Sequence, residues 1–391
     1  MPLPHSNLPP PDLAALLAEA RAQLLALAAA LPEEDWLGPY AEHLNPPLWE
    51  FGHIVWFQEH WCLRQKPGRD PGASPLLAPL EASLQSWADW LYNSSRIPHD
   101  ARWRAPLVPR DEALAWGEAV LRRVQARLRE AATPALRYFA ELSLYHELMH
   151  IEAWWMMWQA RGLRPPFVPG QPALAEQRLL HFDAGRVVLG SREGEGFVFD
   201  NEKWAHEAEV AAFGIDARPV TLDEFREFVE AGGYGETQHW SAEGRAWLAH
   251  TGARHPVYWR RAGTGWALRR FADWQPLPGA EPALHVNRFE AEAYAAWRGR
   301  RLPTAAEWLC AAQAQGFILG ECWEWTASPF EAYPGFAADP YADYSLPWFG
   351  SHAELRGAGS RVTDAVLRRL TFRNFYLPSR RDPFVGFRTA R

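Results

Sequence analysis

The chain has few cysteines and no concentration of positive charge. Only Cys62, Cys310 and Cys322 occur among 391 residues, which is too few for a disulfide framework, and their spacing matches no zinc ribbon. The formal net charge is −7 and no block of lysine and arginine occurs, so we expect no nucleic-acid partner. Because reduced thiols are typical of the cytoplasm, we expect a cytoplasmic protein.

Signals for export or membrane insertion also look absent. The N-terminal sequence MPLPHSNLPPPDLAALLAEA lacks a basic segment followed by an apolar core and a cleavage site. We see no run of about 18 apolar residues and therefore expect no membrane-spanning segment. The chain length favours two or three domains, and a content of 48% hydrophobic residues is ample for packed cores. We expect a monomer or a weak oligomer.

The first 165 residues have the apolar spacing of helices. The first two helical segments are residues 12–31 and PPLWEFGHIVWFQEHWCLRQK. The third is LLAPLEASLQSWADWLYN, with RDEALAWGEAVLRRVQARLRE as its candidate continuation after a loop, and the fourth is PALRYFAELSLYHELMHIEAWWMMWQARG. The last segment opens at Pro134 and closes at Gly162. Antiparallel helices of this kind form a four-helix bundle, and bundle cores commonly hold metals. We assign residues 1–165 to this domain.

A proline-rich linker near residues 163–178 precedes a different pattern. The following sequence is rich in loops, with short strands predicted at RVVLGS, GFVFDNE and AEVAAFGI. Helices are predicted at TLDEFREFVEAGG, FEAEAYAAWRGR and TAAEWLCAAQA. Residues 166–391 are therefore predicted to form a mixed α+β domain.

The motif H-E-x-x-H at residues 146–150 raises two possibilities. His146 and His150 are four residues apart, so a helix presents both imidazoles on one face. A catalytic metal usually needs three protein ligands, and His53 is the best third candidate, with His60 as its competitor. The alternative is a zinc hydrolase with Glu147 as its general base.

Two acidic residues near the histidines have a further possible role. Glu147 or Glu152 could orient a ligand imidazole through a hydrogen bond. A third hypothesis is a binding module without a metal, in which the histidines are satisfied core residues.

The C-terminal half resembles the formylglycine-generating-enzyme (sulfatase-modifying-factor) domain. RLPTAAEW, WEWTASPF and GFRTAR occur in the order typical of that family, and the likeness covers roughly residues 180–391. The resemblance implies a compact α+β module like a C-type lectin. Formylglycine formation is not expected, because those enzymes use a cysteine pair near the C-terminus and no cysteine follows Cys322 here.

The N-terminal half resembles a DinB-like four-helix bundle. PLWEFGH and HELMHIE are similar to the iron motif of the ergothioneine-type sulfoxide synthases, which have these two domains in this order. The resemblance implies a mononuclear non-heme Fe(II) centre held by His53, His146 and His150. It also implies an O₂-dependent reaction that joins a chalcogen donor to C2 of the imidazole of hercynine, Nα-trimethylhistidine. The product is a sulfoxide or a selenoxide.

The donor remains open between two classes. Members that use γ-glutamylcysteine usually carry a segment like G-P-R-H-P-R-P, whose arginines bind the donor carboxylates. The corresponding stretch here, LYNSSRIPHDARWRAPLVPRDEA, lacks that pair. The related selenoneine synthases use a selenosugar, whose hydroxyl groups suit Asn93, Ser95 and Arg96. We favour a selenoneine synthase over an ergothioneine sulfoxide synthase using γ-glutamylcysteine or cysteine, although NSSR is also typical of a simple turn.

The resemblance also implies a tyrosine near the bound oxygen. The matching segment PYADYSLPWFG offers Tyr344 as the first candidate and Tyr341 as the second. The family often has a glutamine that contacts hercynine before the last histidine, and here that position is Met149.

Further substrate contacts are expected near the C-terminus. Where the family has a tryptophan–aspartate pair, this chain has Arg381 and Asp382. Asp382 is expected to meet the trimethylammonium group of hercynine. Asn374, Arg380 and Arg381 are candidates for binding its carboxylate.

Overall fold

The structure, a computed structural model, describes residues 12–64, 81–357 and 359–391. The chain forms two compact units, one comprising Met1–Met157 and Asp339–Tyr344, the other Trp158–Ala338 and Ser345–Arg391. The first unit is helical and the second contains the strands, which confirms the α+β class. The boundary that we placed between residues 165 and 166 stays a prediction.

Four long helices build the first unit. Its helices are α1 (Leu13–Ala30), α2 (Pro47–Cys62), α3 (Ala88–Leu91), α4 (Arg110–Glu130) and α5 (Pro134–Arg161). The Asp12 side chain caps α1 by accepting from Ala14 N, and α2 begins at Pro47, where a missing N–H is harmless. Both α1 and α2 pack against α4.

A buried arginine connects these four long helices. Arg21 of α1 pairs with Glu147 of α5 at 2.6 Å, and both side chains are at most 2% exposed. The Arg21 guanidinium also donates to Gly117 O of α4 at 2.8 Å and to Gln58 Oε1 of α2 at 3.3 Å. Because an arginine fork has five N–H donors in fixed directions, it sets the mutual rotation of the helices it bonds.

The third predicted helix is mostly wrong. Of LLAPLEASLQSWADWLYN, residues 76–80 lie outside the described residues, residues 81–87 are not helical, and only the short α3 forms. The reason is the buried Glu59 of α2, whose carboxylate accepts from Ser83 Oγ and from Leu84 N. A backbone N–H that is satisfied by a side chain does not need a helical partner.

Helix α1 bears on our expectation that the chain has no membrane-spanning segment. By length and composition it could cross a membrane, because its 18-residue window has a mean hydropathy of 1.5. No other helix among the described residues meets this criterion. The indication is weak, because core helices of soluble bundles meet it as well. The buried Arg21 agrees with the role of a bundle helix.

The second unit contains eleven short strands among its described residues. They are β1 (Leu179–Phe182), β2 (Gly185–Leu189), β3 (His206–Val210), β4 (Phe213–Asp216), β5 (Trp259–Ala262), β6 (Gly265–Arg270), β7 (Asp273–Pro276), β8 (Trp323–Pro329), β9 (Ala353–Arg356), β10 (Asn374–Tyr376) and β11 (Val385–Gly386). The largest sheet has the order β10-β9-β8-β11, with β11 parallel to β8. Two further sheets pair β1 with β4 and β2 with β3, and the last has three strands, in which β6 pairs with both β5 and β7.

Four helices of the second unit start at polar caps. They are α6 (Leu222–Glu230), α7 (Ala242–Thr251), α8 (Arg288–Trp297) and α9 (Ala305–Ala312). Helices α6, α8 and α9 have capping boxes, in which a Thr or Asn and the Glu three residues later satisfy each other's backbone N–H. These three helices were predicted from the sequence, whereas α7 was missed.

The predicted strand GFVFDNE is also wrong. Asp200–Glu202 form a 3-10 turn instead. The Glu202 carboxylate accepts from Phe199 N at 3.2 Å and from Arg369 Nε at 2.9 Å. The buried Glu202 carboxylate thus stabilises a turn at the end of the segment that we predicted as a strand.

The Arg21 cluster makes a testable contribution to stability. Arg21→Ala leaves the Glu147 carboxylate buried without its cation, and we expect the free energy of unfolding to fall by about 3–5 kcal/mol. Chemical denaturation followed by circular dichroism measures the change. The control Arg122→Ala removes the exposed pair with Glu118 and should cost about 0.5 kcal/mol or less. Equal unfolding midpoints for the two variants would contradict this role of Arg21.

Candidate metal centre

Three imidazoles converge between α2 and α5. His53 comes from α2, and His146 and His150 are one turn apart on α5. Their candidate ligand nitrogens all lie within 4.8 Å of one another. The Nε2 atoms of His53 and His146 are 3.2 Å apart. The competing candidate His60 is not a member of this group.

The outer nitrogens of two rings are fixed by acceptors. His53 Nδ1 donates to Tyr92 O at 2.6 Å, and His150 Nδ1 donates to Glu50 Oε1 at 2.7 Å. Because a carbonyl and a carboxylate only accept, the proton of each neutral ring is on Nδ1. Each Nε2 therefore presents a lone pair to the centre.

Burial keeps the His53 and His146 rings in the neutral form that binds a metal. Desolvation lowers the pKa of His53 well below its ordinary value, and the neighbouring His150 lowers it further. The pKa of His146 is lowered in the same way, first by burial and then by His150 and His53. Neutral imidazoles coordinate metals, whereas imidazolium does not.

Aromatic rings pack on both sides of the histidines. Trp49 stacks on His53 with centroids 5.0 Å apart, and the Arg102 guanidinium lies 4.0 Å above the Trp49 ring. Phe57 stacks on His146 at 3.6 Å and 4°. These contacts hold the ligand rings in place and keep water away from their faces.

Glu147 cannot serve as the base of a zinc hydrolase. Its carboxylate is buried in the pair with Arg21, on a different face of α5 from His146 and His150. The hydrolase alternative therefore loses its essential group. The carboxylate that orients a candidate ligand ring, that of His150, belongs to Glu50. From the sequence we had considered Glu147 and Glu152 for this role and had missed Glu50. Its position three residues before His53, hence on the same helical face, was the available signal.

Both candidate tyrosines belong to the first unit. Tyr341 meets Phe57 edge-on at 4.8 Å, and its ring lies 6.2 Å from the His146 ring. The Tyr344 hydroxyl lies 3.8 Å from Met149 Sδ. Met149 thus contacts the tyrosine that the resemblance placed near the bound oxygen.

The predicted donor contacts form a turn. Asn93 Oδ1 accepts from Ser95 N at 3.0 Å, and Ser95 Oγ donates to the Asp343 carboxylate. Arg96 lies over the Trp90 ring at 5.4 Å. The roles of these residues toward a donor stay predictions.

The predicted hercynine contacts near the C-terminus belong to the second unit. Arg380 forms a two-point pair with Asp382, and Arg381 pairs with the buried Glu290 at 2.7 Å. Asn374 Oδ1 accepts from the next backbone N–H at 2.8 Å. Asp382 therefore already has a cation partner, but its role and those of its neighbours toward hercynine are untested predictions.

The donor set fits a divalent transition metal. Three neutral imidazole nitrogens suit iron, zinc, copper or nickel, and leave coordination positions for reactants. The second nitrogen of His146, Nδ1, is buried and has no hydrogen-bond partner among the described residues. The His146 Nε2 atom faces the other imidazoles, since it lies 3.2 Å from His53 Nε2, and it is therefore the nitrogen that could bind a metal with them.

Comparisons with known proteins match both halves of the chain. The DinB superfamily model matches residues 16–152, and the sulfatase-modifying factor enzyme 1-like domain matches residues 167–318. A hercynine oxygenase of Mycobacterium tuberculosis is 32% identical, covering 97% of this chain and 99% of the relative. That of Mycolicibacterium smegmatis is 33% identical, covering 90% and 92%. A formylglycine-generating enzyme of Streptomyces coelicolor is 32% identical over only 36% of this chain and 48% of its own.

The hydrogen bond from His150 to Glu50 predicts a measurable effect on metal affinity. Glu50→Gln removes the charge that orients and polarises the ring, and we expect metal affinity to fall roughly 10–100-fold. Competition with a chromophoric chelator measures it. Glu59→Gln is the matched control, because Glu59 is equally buried on α2 but bonds Ser83 and Leu84. Equal affinities for the two variants would show that Glu50 does not support the site.

Proposed function

The chain belongs to the hercynine oxygenase family, and from that premise we propose that it is a non-heme Fe(II) enzyme that joins a chalcogen donor to hercynine. As a member it is an oxidoreductase. The observation that carries the proposal is the convergence of His53, His146 and His150, with two of the rings fixed from behind. The reaction uses O₂ and forms the new bond at C2 of the hercynine imidazole.

The protein's contribution is to hold the metal and order its surroundings. Bound by the three imidazoles, iron supplies the oxidising chemistry with O₂. Glu50 and the Tyr92 carbonyl fix the directions of two ligands, so little reorganisation is needed when reactants bind. Phe57 and Trp49 cover ring faces and exclude water from them.

A tyrosine hydroxyl is the group that we propose to hold or deliver a proton. We propose Tyr344 as that residue, because its hydroxyl reaches Met149, which lies between two of the ligands on α5. Tyr341 is the second candidate and packs on the aromatic side of His146.

We further propose that the donor is a selenosugar, giving a hercynyl selenoxide. The arginines of the stretch that binds donor carboxylates in the family are engaged here. Arg102 donates to Asn45 Oδ1 at 2.6 Å, and Arg104 pairs with Asp100 at 3.1 Å. A selenosugar has no carboxylates and makes no demand on these arginines, whereas a donor with two carboxylates would need a free pair of them.

Turnover assays followed by mass spectrometry test this function. The enzyme loaded with Fe(II) receives hercynine and O₂ with 1-seleno-β-D-glucose, γ-glutamylcysteine or cysteine. We expect product only with O₂, and fastest with the selenosugar. Preference for a thiol would replace the donor assignment with sulfoxide synthesis. Equal consumption of hercynine with and without O₂ would refute the oxidative reaction itself.

The two tyrosines are separated by single substitutions. Tyr344→Phe removes only the hydroxyl, and we expect kcat to fall ~10²–10⁴-fold with iron content unchanged. Tyr341→Phe should have a smaller effect, because its ring packing is retained. Tyr40→Phe, at an exposed position, is the control. If Tyr341→Phe is the more damaging change, the roles of the two tyrosines are exchanged.

A further inference from the structure

Two side-chain hydrogen bonds hold the segment that carries the tyrosines, Asp339–Tyr344. Ser95 Oγ donates to the Asp343 carboxylate, and the Tyr344 hydroxyl donates to Met149 Sδ over 3.8 Å. We propose that Ser95 and Met149 are positioning residues that fix Tyr344 at the metal centre, and not substrate contacts. The role of Tyr344 in this inference rests on the proposed function.

Met149 is well placed for this role. It lies on α5 between His146 and His150, so its side chain starts from the same helical turn as the metal ligands. A thioether sulfur has no proton and is a weak acceptor. It can therefore orient the Tyr344 O–H without holding its proton tightly. The glutamine expected at this position offers an amide N–H as well, which would compete for the hydroxyl oxygen.

The Ser95 side chain restrains the backbone of the Asp339–Tyr344 segment. Asp343 directly precedes Tyr344, so a hydrogen bond to its carboxylate restrains the tyrosine backbone. Bonds to an ionised carboxylate are stronger than those between neutral groups. The turn that presents Ser95 is itself closed by the bond from Ser95 N to Asn93 Oδ1 at 3.0 Å. These contacts give the NSSR segment a structural role that does not depend on binding a sugar.

A third contact holds Tyr341, in the middle of the segment. The Tyr341 ring lies edge-on to Phe57 at 4.8 Å, and Phe57 stacks on the ligand His146 at 3.6 Å. Ring contacts hold position 341, and the two hydrogen bonds hold positions 343 and 344. Removing either bond leaves the ring contacts intact, so the expected consequence is a misplaced hydroxyl and not a lost segment.

Kinetics of paired variants test the inference. Met149→Leu keeps volume and apolar character but removes the acceptor, and Ser95→Ala removes the donor. We expect each to lower kcat roughly 3–10-fold, the scale of one hydrogen bond, with the KM for hercynine and the iron content unchanged. Met149→Gln, which restores an acceptor, should recover part of the loss. In a Tyr344→Phe background neither change should have a further effect. Ser94→Ala is the matched control.

A second measurement is independent of the reaction. With 3-fluorotyrosine at position 344 of the metal-free full-length protein, Met149→Leu and Ser95→Ala should shift the fluorine resonance, and Ser94→Ala should not. If the wild-type protein consumes no hercynine, the fluorine resonance still tests whether Ser95 and Met149 position Tyr344. Failure of the proposed function and failure of this inference are therefore distinguishable. A raised KM for hercynine with an unmoved resonance would make Met149 a substrate contact. The inference would also be overturned if Met149→Leu and Ser95→Ala lowered kcat by the same factor in the wild-type and Tyr344→Phe backgrounds.

Discussion

The geometry of the candidate metal centre depends on one buried ion pair that is not part of it. Arg21 and Glu147 lie in the bundle core, where a lone carboxylate would be severely destabilising. Glu147 must therefore face Arg21. Since each residue of an α-helix turns the chain by about 100°, this orientation also decides where His146 and His150 point. They face α2, and its imidazole His53 completes the group. The rotation of α5 is thus set by charge burial, and the ligand geometry follows from it.

The same pair explains why H-E-x-x-H has a different meaning here than in a hydrolase. There the glutamate must reach a metal-bound water, whereas here it is occupied by a cation inside the core. The carboxylate that supports the metal site comes from Glu50 on the other helix, and it acts through His150. A carboxylate behind a ligand orients its ring and raises its basicity. The two histidines of the motif are therefore the candidate metal ligands, and its glutamate stabilises the packing of the helices through Arg21.

Local patterns predicted much of this structure, and long-range side-chain contacts account for what they missed. The spacing of His146 and His150, and the capped helices α6, α8 and α9, follow from neighbours in sequence. The errors at residues 81–87 and at GFVFDNE share another cause: a buried glutamate accepts backbone N–H groups there. Glu50 escaped notice because its partner is 100 residues away. No periodicity in the sequence reports such a contact.

The centre combines parts that are held with unequal strength. The imidazoles are fixed by buried hydrogen bonds of 2.6 and 2.7 Å and by stacked rings. Tyr344, which is 195 residues from Met149 in sequence, is held by a weak acceptor and by a neighbouring bond at an exposed serine. Contacts near solvent open more readily than those in a core. The Tyr344 hydroxyl is therefore held less firmly than the three imidazoles, because the two hydrogen bonds that hold its segment are weaker or closer to solvent than those of His53 and His150.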